Sequence, residues 1–241
     1  MSQPLALTYD GYCPICEAAV RFSAQYDWYR DHLLCEKCNS VPRERALAMV
    51  LAETRPAWRQ LRIHECSPGG RGVSLKMHHQ CSKYTPTHYF PEAQPGEIVR
   101  GYRNENLGAQ TFGDSIFDIV VSEDVMEHVN EPADCIREVY RTLAPGGVYI
   151  FTAPTLKDLT ATARKARYSS DGTVEFVGEP EYHKNPIDER GSPVTFHYGY
   201  DFPDLIRSWA PFDTRVVRFN DRRHGVIGEF TEVYVCAKAE S

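Results

Sequence analysis

FDIVVSEDVMEHVNEPADCIREVYRTLAPGGVYIFTAP, running from Phe117 to Pro154, is the stretch that decides the fold. Phe117-Asp118-Ile119-Val120-Val121 is a short apolar run of the kind that forms a strand buried on both faces of a parallel sheet. Pro132 suits the first turn of a helix, where its missing N–H costs nothing. Ile136, Val139, Tyr140 and Leu143 recur at helical spacing, and Pro145-Gly146-Gly147 ends the helix before a second buried strand, Val148 to Thr152. Strand, helix and strand make a βαβ unit, whose crossover is right-handed in nearly all proteins. The polar residues Ser122, Glu123 and Asp124 close the first strand, so they fall at the carboxyl edge of the sheet, where open α/β sheets bind ligands.

Composition sets the surroundings of this unit. A chain of 241 residues, 42% hydrophobic and 25% charged, can bury one large α/β core and still hold a small accessory module. No apolar run approaches 18 residues, and MSQPLALTYDG lacks the charged-then-apolar pattern of a leader, so the expected compartment is the cytoplasm with no membrane span. A formal net charge of −6 argues against a general nucleic-acid binder.

The cysteines divide into two sets. Cys13-Pro14-Ile15-Cys16 and Cys35-Glu36-Lys37-Cys38 are paired C-x-x-C knuckles, while Cys66, Cys81, Cys135 and Cys236 stand singly. Two knuckles at this separation have the spacing of a tetrahedral four-cysteine zinc site, so Cys13, Cys16, Cys35 and Cys38 are the expected ligands of a structural zinc within a module spanning 1–41. Tyr9 to Cys16 also resembles the opening of small thiol-oxidoreductase-like proteins, but such proteins need no second C-x-x-C. Arg21, Arg30, Lys37, Arg43 and Arg45 are interleaved with Glu17, Asp27, Asp31, Glu36 and Glu44, a mixed surface rather than a phosphate-binding stripe. Tyr26, Trp28 and Tyr29 are expected to pack the module against the main domain, and Pro42 to Ala52 reads as the helix leading into it.

Phe117-Asp118, Val125-Met126-Glu127-His128-Val129 and Leu143-Ala144-Pro145-Gly146-Gly147 resemble, in order and separation, the later motifs of class I S-adenosylmethionine (SAM) dependent methyltransferases. With the four-cysteine module ahead of it, the chain is similar to bacterial type-11 methyltransferases with an N-terminal zinc ribbon, often associated with polysaccharide or natural-product pathways. The resemblance implies a Rossmann-like, doubly wound, mostly parallel seven-stranded sheet over 42–241, with SAM as cofactor. It also implies a cofactor loop at Glu65-Cys66-Ser67-Pro68-Gly69-Gly70-Arg71-Gly72, after the strand Leu61-Arg62-Ile63-His64. There Glu65 would meet the ammonium group of SAM, and Ser67, Pro68 and Gly69 would line its methionine part. The family's ribose-binding acid is missing after the second strand; His88 or Tyr89 falls at the matching place. Asn106, followed by Leu107, stands where the family has an acid for the adenine amino group, and is preferred over Glu105. Ser122, Glu123 and Asp124 complete the cofactor side.

Beyond Pro154 the sequence departs from a generic cofactor domain. Lys157 to Tyr168 reads as a basic helix, and Ser169 to Tyr200 as a long irregular segment, so a substrate-side insertion is expected over about 155–200. Asp201 to Trp209 reads as a helix; Thr214 to Phe219 and Thr231 to Ala237 read as the closing antiparallel strands. Glu181 to Pro186 and Thr195 to Tyr200 form a polar-aromatic cluster suited to the acceptor. A hydroxyl acceptor needs a proton acceptor, and histidine titrates near neutral pH, which makes His183, then His197, then His128 the catalytic candidates. In an E-H-V segment, His128 more often fixes its loop. The expected function is SAM-dependent methylation, at oxygen, of a small-molecule or saccharide acceptor. The competing functions are a SAM-fold binding scaffold that has lost catalysis and a nucleic-acid methyltransferase using the zinc module.

Overall fold

The computed structural model describes residues 6–169, 172–185 and 187–240; Pro186 of the acceptor cluster lies outside them. β1 (Leu7–Cys13) and β2 (Ala18–Ala24) form an antiparallel hairpin. A one-turn helix α1 (Tyr29–His32) leads to β3 (Leu34–Cys35), which pairs with β2. α2 (Pro42–Thr54) begins with Pro42 in its first turn, and the Glu44 carboxylate accepts the Val41 N–H at 3.0 Å, a cap that ends the module and starts the helix.

The main sheet then builds up as β4 (Ile63–Cys66), α3 (Gly72–Gln80), β5 (Tyr84–His88), β6 (Ile98–Val99), β7 (Tyr102–Asn104), β8 (Phe117–Glu123), α4 (Pro132–Thr142) and β9 (Leu143–Thr152). Six short strands follow in the insertion: β10 (Ala163–Arg164), β11 (Ala166–Tyr168), β12 (Val174–Phe176), β13 (Tyr182–His183), β14 (Ser192–Pro193) and β15 (Phe196–His197). α5 (Phe202–Trp209), β16 (Asp213–Val217) and β17 (Val233–Ala237) finish the chain. The sheet order is β16-β17-β9-β8-β4-β5-β7-β6. β9, β8, β4, β5 and β7 are mutually parallel, and β17 enters antiparallel to β9. All seven expected strands are present, and the two-residue β6 adds an eighth at the edge.

α4 runs as its periodicity implies, with Ile136 and Val139 fully buried, and Pro145-Gly146-Gly147 falls inside β9, where Gly146 takes a left-handed φ of 73°. The expected helix over Lys157 to Tyr168 is not formed. Its alanines and lysines favour helix, but the chain is used up by tertiary pairing instead. Thr162 donates from its backbone N and its hydroxyl to Asp201 Oδ1, Lys165 and Ala166 donate to the Thr195 carbonyl, and Ala163 pairs with His197.

Two hydrophobic clusters cover the two faces of the sheet. Ile136, Val139, Tyr149, Phe151, Phe202 and Ile206 pack on one. On the other, Cys13, Ile15, Phe22, Leu33 and Cys35 of the N-terminal module share one cluster with Leu47 and Leu51 of α2 and Ile63 and Ile119 of the sheet. Of the three module aromatics, Tyr29 packs on this cluster, whereas Tyr26 and Trp28 stay exposed.

Arg45 fastens the joint. It is fully buried, with its guanidinium carbon 4.6 Å from the centre of the Phe22 ring. It donates to the carbonyls of Leu33 (2.9 Å) and Gly225 (2.7 Å) and to that of Ser40. Removing such a donor strands buried acceptors, each at about 1–3 kcal/mol. Arg45→Leu is expected to lower unfolding stability by about 3 kcal/mol or more, read from urea denaturation. A loss near zero would show that the three carbonyls find other partners.

Candidate metal centre, cofactor edge and histidine cluster

The two knuckles sit on the β1–β2 turn and the loop after β3. Glu17 and Asn39, each the residue after the second cysteine of its knuckle, take left-handed φ values of 52° and 56°, which tightens each turn until both sulfurs face inward. The sulfurs of Cys13 and Cys38 lie 3.8 Å apart, as do those of Cys16 and Cys35, and all four lie within 4.8 Å of one another. A tetrahedral zinc with Zn–S bonds of about 2.3 Å has edges of about 3.8 Å. The cysteines are free of disulfides. The four-cysteine cluster can therefore hold a zinc ion, as its spacing predicts.

The carboxyl edge of the sheet gathers acids. Glu65, the penultimate residue of β4, is buried; its carboxylate accepts from Ser74 Oγ (2.6 Å) and Tyr84 OH (2.5 Å). Burial outweighs those two bonds and pushes Glu65 up to about 7. Burial, reinforced by Glu44 and Glu65, holds Glu123 well above the usual carboxylate range, and no described group hydrogen-bonds its carboxylate. Asp124, with φ of 51°, is different: against its burial, Arg43 and Arg30 hold it ionised, at 2.8 and 2.5 Å. These two arginines come from α2 and α1, so the N-terminal module reaches into the strand edge directly.

The glycine-rich loop leaves room beside these acids. Ser67, at the place of the expected small-residue turn, takes φ of 55°, and its N–H donates to the Thr87 carbonyl at 2.7 Å. A Cβ at Gly70 would meet no neighbouring atom within 4 Å, so this stretch of backbone is open to a ligand. Gly72 is different: at φ of 61°, a Cβ there would strike the Glu44 carboxylate. An open glycine backbone facing under-neutralised carboxylates fits the cationic sulfonium and ammonium groups of SAM. Glu65, Glu123 and the Ser67-Pro68-Gly69 turn are the residues that would hold its methionine end.

The other expected contacts fall out unevenly. His88 is buried and hydrogen-bonded to the Pro68 backbone, and burial pushes it down to about 4, so it is a neutral brace under the loop. Tyr89 beside it is half exposed and free to face a ligand. Asn106 is exposed, with its amide oxygen accepting the Gly108 N–H, whereas Leu107 is buried. Glu105 is fully engaged by Arg103 and by the N–H and hydroxyl of Thr111, which closes the 105–111 turn and leaves Asn106 as the outward residue. Ser122 is buried against Tyr149 OH at 2.7 Å and lies under the edge rather than on it.

All three candidate histidines converge after β8. His128 donates Nδ1–H to the Pro193 carbonyl (2.9 Å), since that partner can only accept. Its ring meets that of His183 edge-on at 5.1 Å. His197 Nε2 lies 2.7 Å from Glu181 Oε2, and His183 Nε2 lies 3.4 Å from Glu181 Oε1. Thr195 and Tyr198 clamp the preceding segment through the carbonyls of Glu127, Val129 and Met126. Sequence reasoning missed the two carboxylates of this cluster, Glu127 and Glu181, and the arginine pair Arg30 and Arg43. The E-H-V motif itself pointed at Glu127, and Glu181 stood in the expected acceptor cluster without a role of its own; nothing local marked the arginines.

Residues 70–151 match the family profile described as a methyltransferase domain. No curated protein matches the sequence. Among solved structures, the chain resembles a SAM-dependent methyltransferase from Mesorhizobium loti at 16% identity and a TM-score of 0.53, over 80% of this chain and 98% of that one. It is similar to YcgJ of Bacillus subtilis at 9% identity and 0.51, over 81% and 99%. It also resembles the [4+2]-cyclase SpnF at 11% identity and 0.50, over 82% of each chain. Such distant likenesses establish the fold. The fold is that of Rossmann-like methyltransferases, and residues 70–151 carry the match to a methyltransferase domain.

Two outcomes test these sites. Purified protein is expected to carry about one zinc per chain in the cysteine cluster, and Cys35→Ser to lose it together with the fold of the module; metal analysis with thiol titration reads both, and eight free thiols without zinc would refute it. For Glu65, the raised value has a definite sign. Its contribution of up to about 3 kcal/mol to the ligand-free protein is complete below pH 4.5 and is lost as pH rises through about 7. SAM, being cationic, should bind the ionised form, so its affinity should climb from pH 6 to 8, and Glu65→Ala should cost about 1–3 kcal/mol of binding and flatten that climb. Calorimetry showing a pH-independent affinity unaltered in the variant would overturn the assignment.

Proposed function

We propose that the protein moves the methyl group of SAM to an oxygen of a small hydroxylated acceptor, sugar-like or natural-product-like, held between the strand edge and the insertion, in the cytoplasm. The observation that carries this reading is the Glu181–His197 pair. A carboxylate at 2.7 Å from one ring nitrogen fixes the orientation of a histidine, which is how a general base is usually supported. The fold brings that pair to the same end of the sheet as Glu65 and Glu123.

The rim around the cluster suits such an acceptor. Tyr89, Tyr182 and Tyr168 gather between the cofactor loop and the insertion; burial, then the neighbouring Tyr182 and Tyr89 phenols, raise the Tyr168 hydroxyl. Tyr182 and Tyr89 remain about half exposed, offering flat apolar faces edged by hydroxyls. Sugars and polyketide-like ring systems stack on faces of this kind.

SAM would supply a methyl group on a positive sulfur. The chain's part is to align the acceptor in line with that bond, exclude water and take up one proton. In this reading His197, relayed through Glu181, receives the acceptor's hydroxyl proton. His183, flanked by Glu181 and Glu127, sets the acceptor's position. His128, fixed on the Pro193 carbonyl, holds the wall behind it. Mass detection of methylated product and S-adenosylhomocysteine across a panel of hydroxylated acceptors tests the class. With a turned-over acceptor in hand, His197→Ala should lower kcat by about 10²–10⁴ without weakening SAM binding. A variant with unchanged turnover would remove His197 from the reaction.

A further inference from the structure

We infer that Glu127, His128 and His183 form a second metal site, separate from the cysteine cluster, which takes a divalent first-row transition-metal ion through one carboxylate oxygen and two imidazole nitrogens. Glu127 is 2% exposed, and neither of its oxygens has a hydrogen-bond partner. Buried carboxylates are rarely left so, because the charge has lost water and gained nothing in return.

The two histidines that face it are each prepared for a ligand's role. His128 donates Nδ1–H to the Pro193 carbonyl, which leaves Nε2 as a bare lone pair 3.9 Å from Glu127 Oε1. His183 has Nε2 beside the Glu181 carboxylate at 3.4 Å, and with the proton on that nitrogen Nδ1 is bare, again 3.9 Å from Glu127 Oε1. Two lone pairs and an unpartnered carboxylate oxygen thus point at a common centre, and they have nothing to donate to one another. Each imidazole has its outer nitrogen on a carbonyl or carboxylate, the usual way a protein sets the tautomer and angle of a metal-bound histidine.

The spacing is close to that of a loaded site. All three ligand atoms lie within 4.8 Å of one another. Bonds of about 2.0–2.2 Å at a tetrahedral angle place ligand atoms about 3.4 Å apart, so the two carboxylate–imidazole distances of 3.9 Å each close by about half an ångström. Mixed imidazole and carboxylate donors select zinc, cobalt, manganese or iron(II) over magnesium or calcium, and three protein ligands leave positions open. If the acceptor reading above is right, those positions are where its oxygens would bind. The metal site itself does not rest on that reading.

The test uses the full-length protein with zinc retained in the cysteine cluster and Co²⁺ as the probe. We expect a second metal equivalent per chain, with visible d–d absorption and no thiolate charge-transfer band. Glu127→Gln keeps shape and removes the charge, and should weaken Co²⁺ binding at this site at least about 100-fold. His183→Asn, on the more exposed hairpin, should do the same, with the cysteine-bound zinc retained in both. A wild-type protein that takes up no metal beyond the cysteine cluster would overturn the proposal whatever the variants do. So would a second equivalent unaffected by both substitutions. SAM affinity and methyl transfer are measured separately on the same samples, so a failed metal site and a failed acceptor reading give different results.

Discussion

The arrangement depends on one electrostatic constraint: four acids, Glu65, Glu123, Asp124 and Glu127, are drawn to the carboxyl ends of two adjacent parallel strands, and Glu44 of α2 adds a fifth. Parallel strands bury both faces, so the only polar ground is the edge. Five carboxylates cannot all be charged there without compensation. Arg43 and Arg30 both go to Asp124, and Arg71 goes to Glu44. Although burial opposes its charge, Asp124, Glu123, Asp31 and Glu44 hold Arg43 above its ordinary value. Glu65, Glu123 and Glu127 are left without a cation of their own. That imbalance suits the edge to positive charge, such as that of a sulfonium cofactor and of the metal ion proposed above.

This gives the N-terminal module a function beyond its own folding. Its hairpin has too little apolar material for a separate core, and its buried residues belong to the same cluster as α2 and the sheet. A zinc at the knuckles would fix the loop after β3 and the β1–β2 turn, and through them the short helix that carries Arg30. Arg45 locks the same elements to Gly225 in the loop between β16 and β17. A zinc at the knuckles would act in series with the buried arginine and the counter-charge, which would couple the four clustered cysteines to the cofactor edge.

How much of this could be read beforehand follows the range of the interactions. The βαβ unit was legible because its signals are local: an apolar run, a helical period, a Pro-Gly-Gly stop. The zinc knuckles were legible for the same reason, each being a four-residue motif. The three histidines were legible as chemistry but not as a cluster, since His128 lies 55 or more positions before the others. Glu181 carries no local sign that it bridges His183 and His197. The misread segment is instructive. Lys157 to Tyr168 has helical composition, yet backbone donors within it go to Asp201 and Thr195, partners 29 to 39 residues away, and tertiary hydrogen bonding overrode propensity.

The insertion shows why the site needs both halves of the chain. Glu127 and His128 sit on a rigid turn straight after β8, as they would in any sheet of this design. By themselves they are a buried carboxylate and a ring with no common purpose. The insertion clamps that turn from above, with Thr195 Oγ1 donating to the Glu127 and Val129 carbonyls and Tyr198 OH to that of Met126. The same segment delivers Pro193 to fix the His128 tautomer, His183 to face Glu127, and Glu181 with His197 behind it. Thus the segment that departs most from a generic cofactor domain also completes the cluster beside the cofactor edge. The fold alone would permit many reactions, as the resemblance to a cyclase illustrates. What narrows them is the insertion, because it alone decides which nitrogen of each histidine is left bare and where it points.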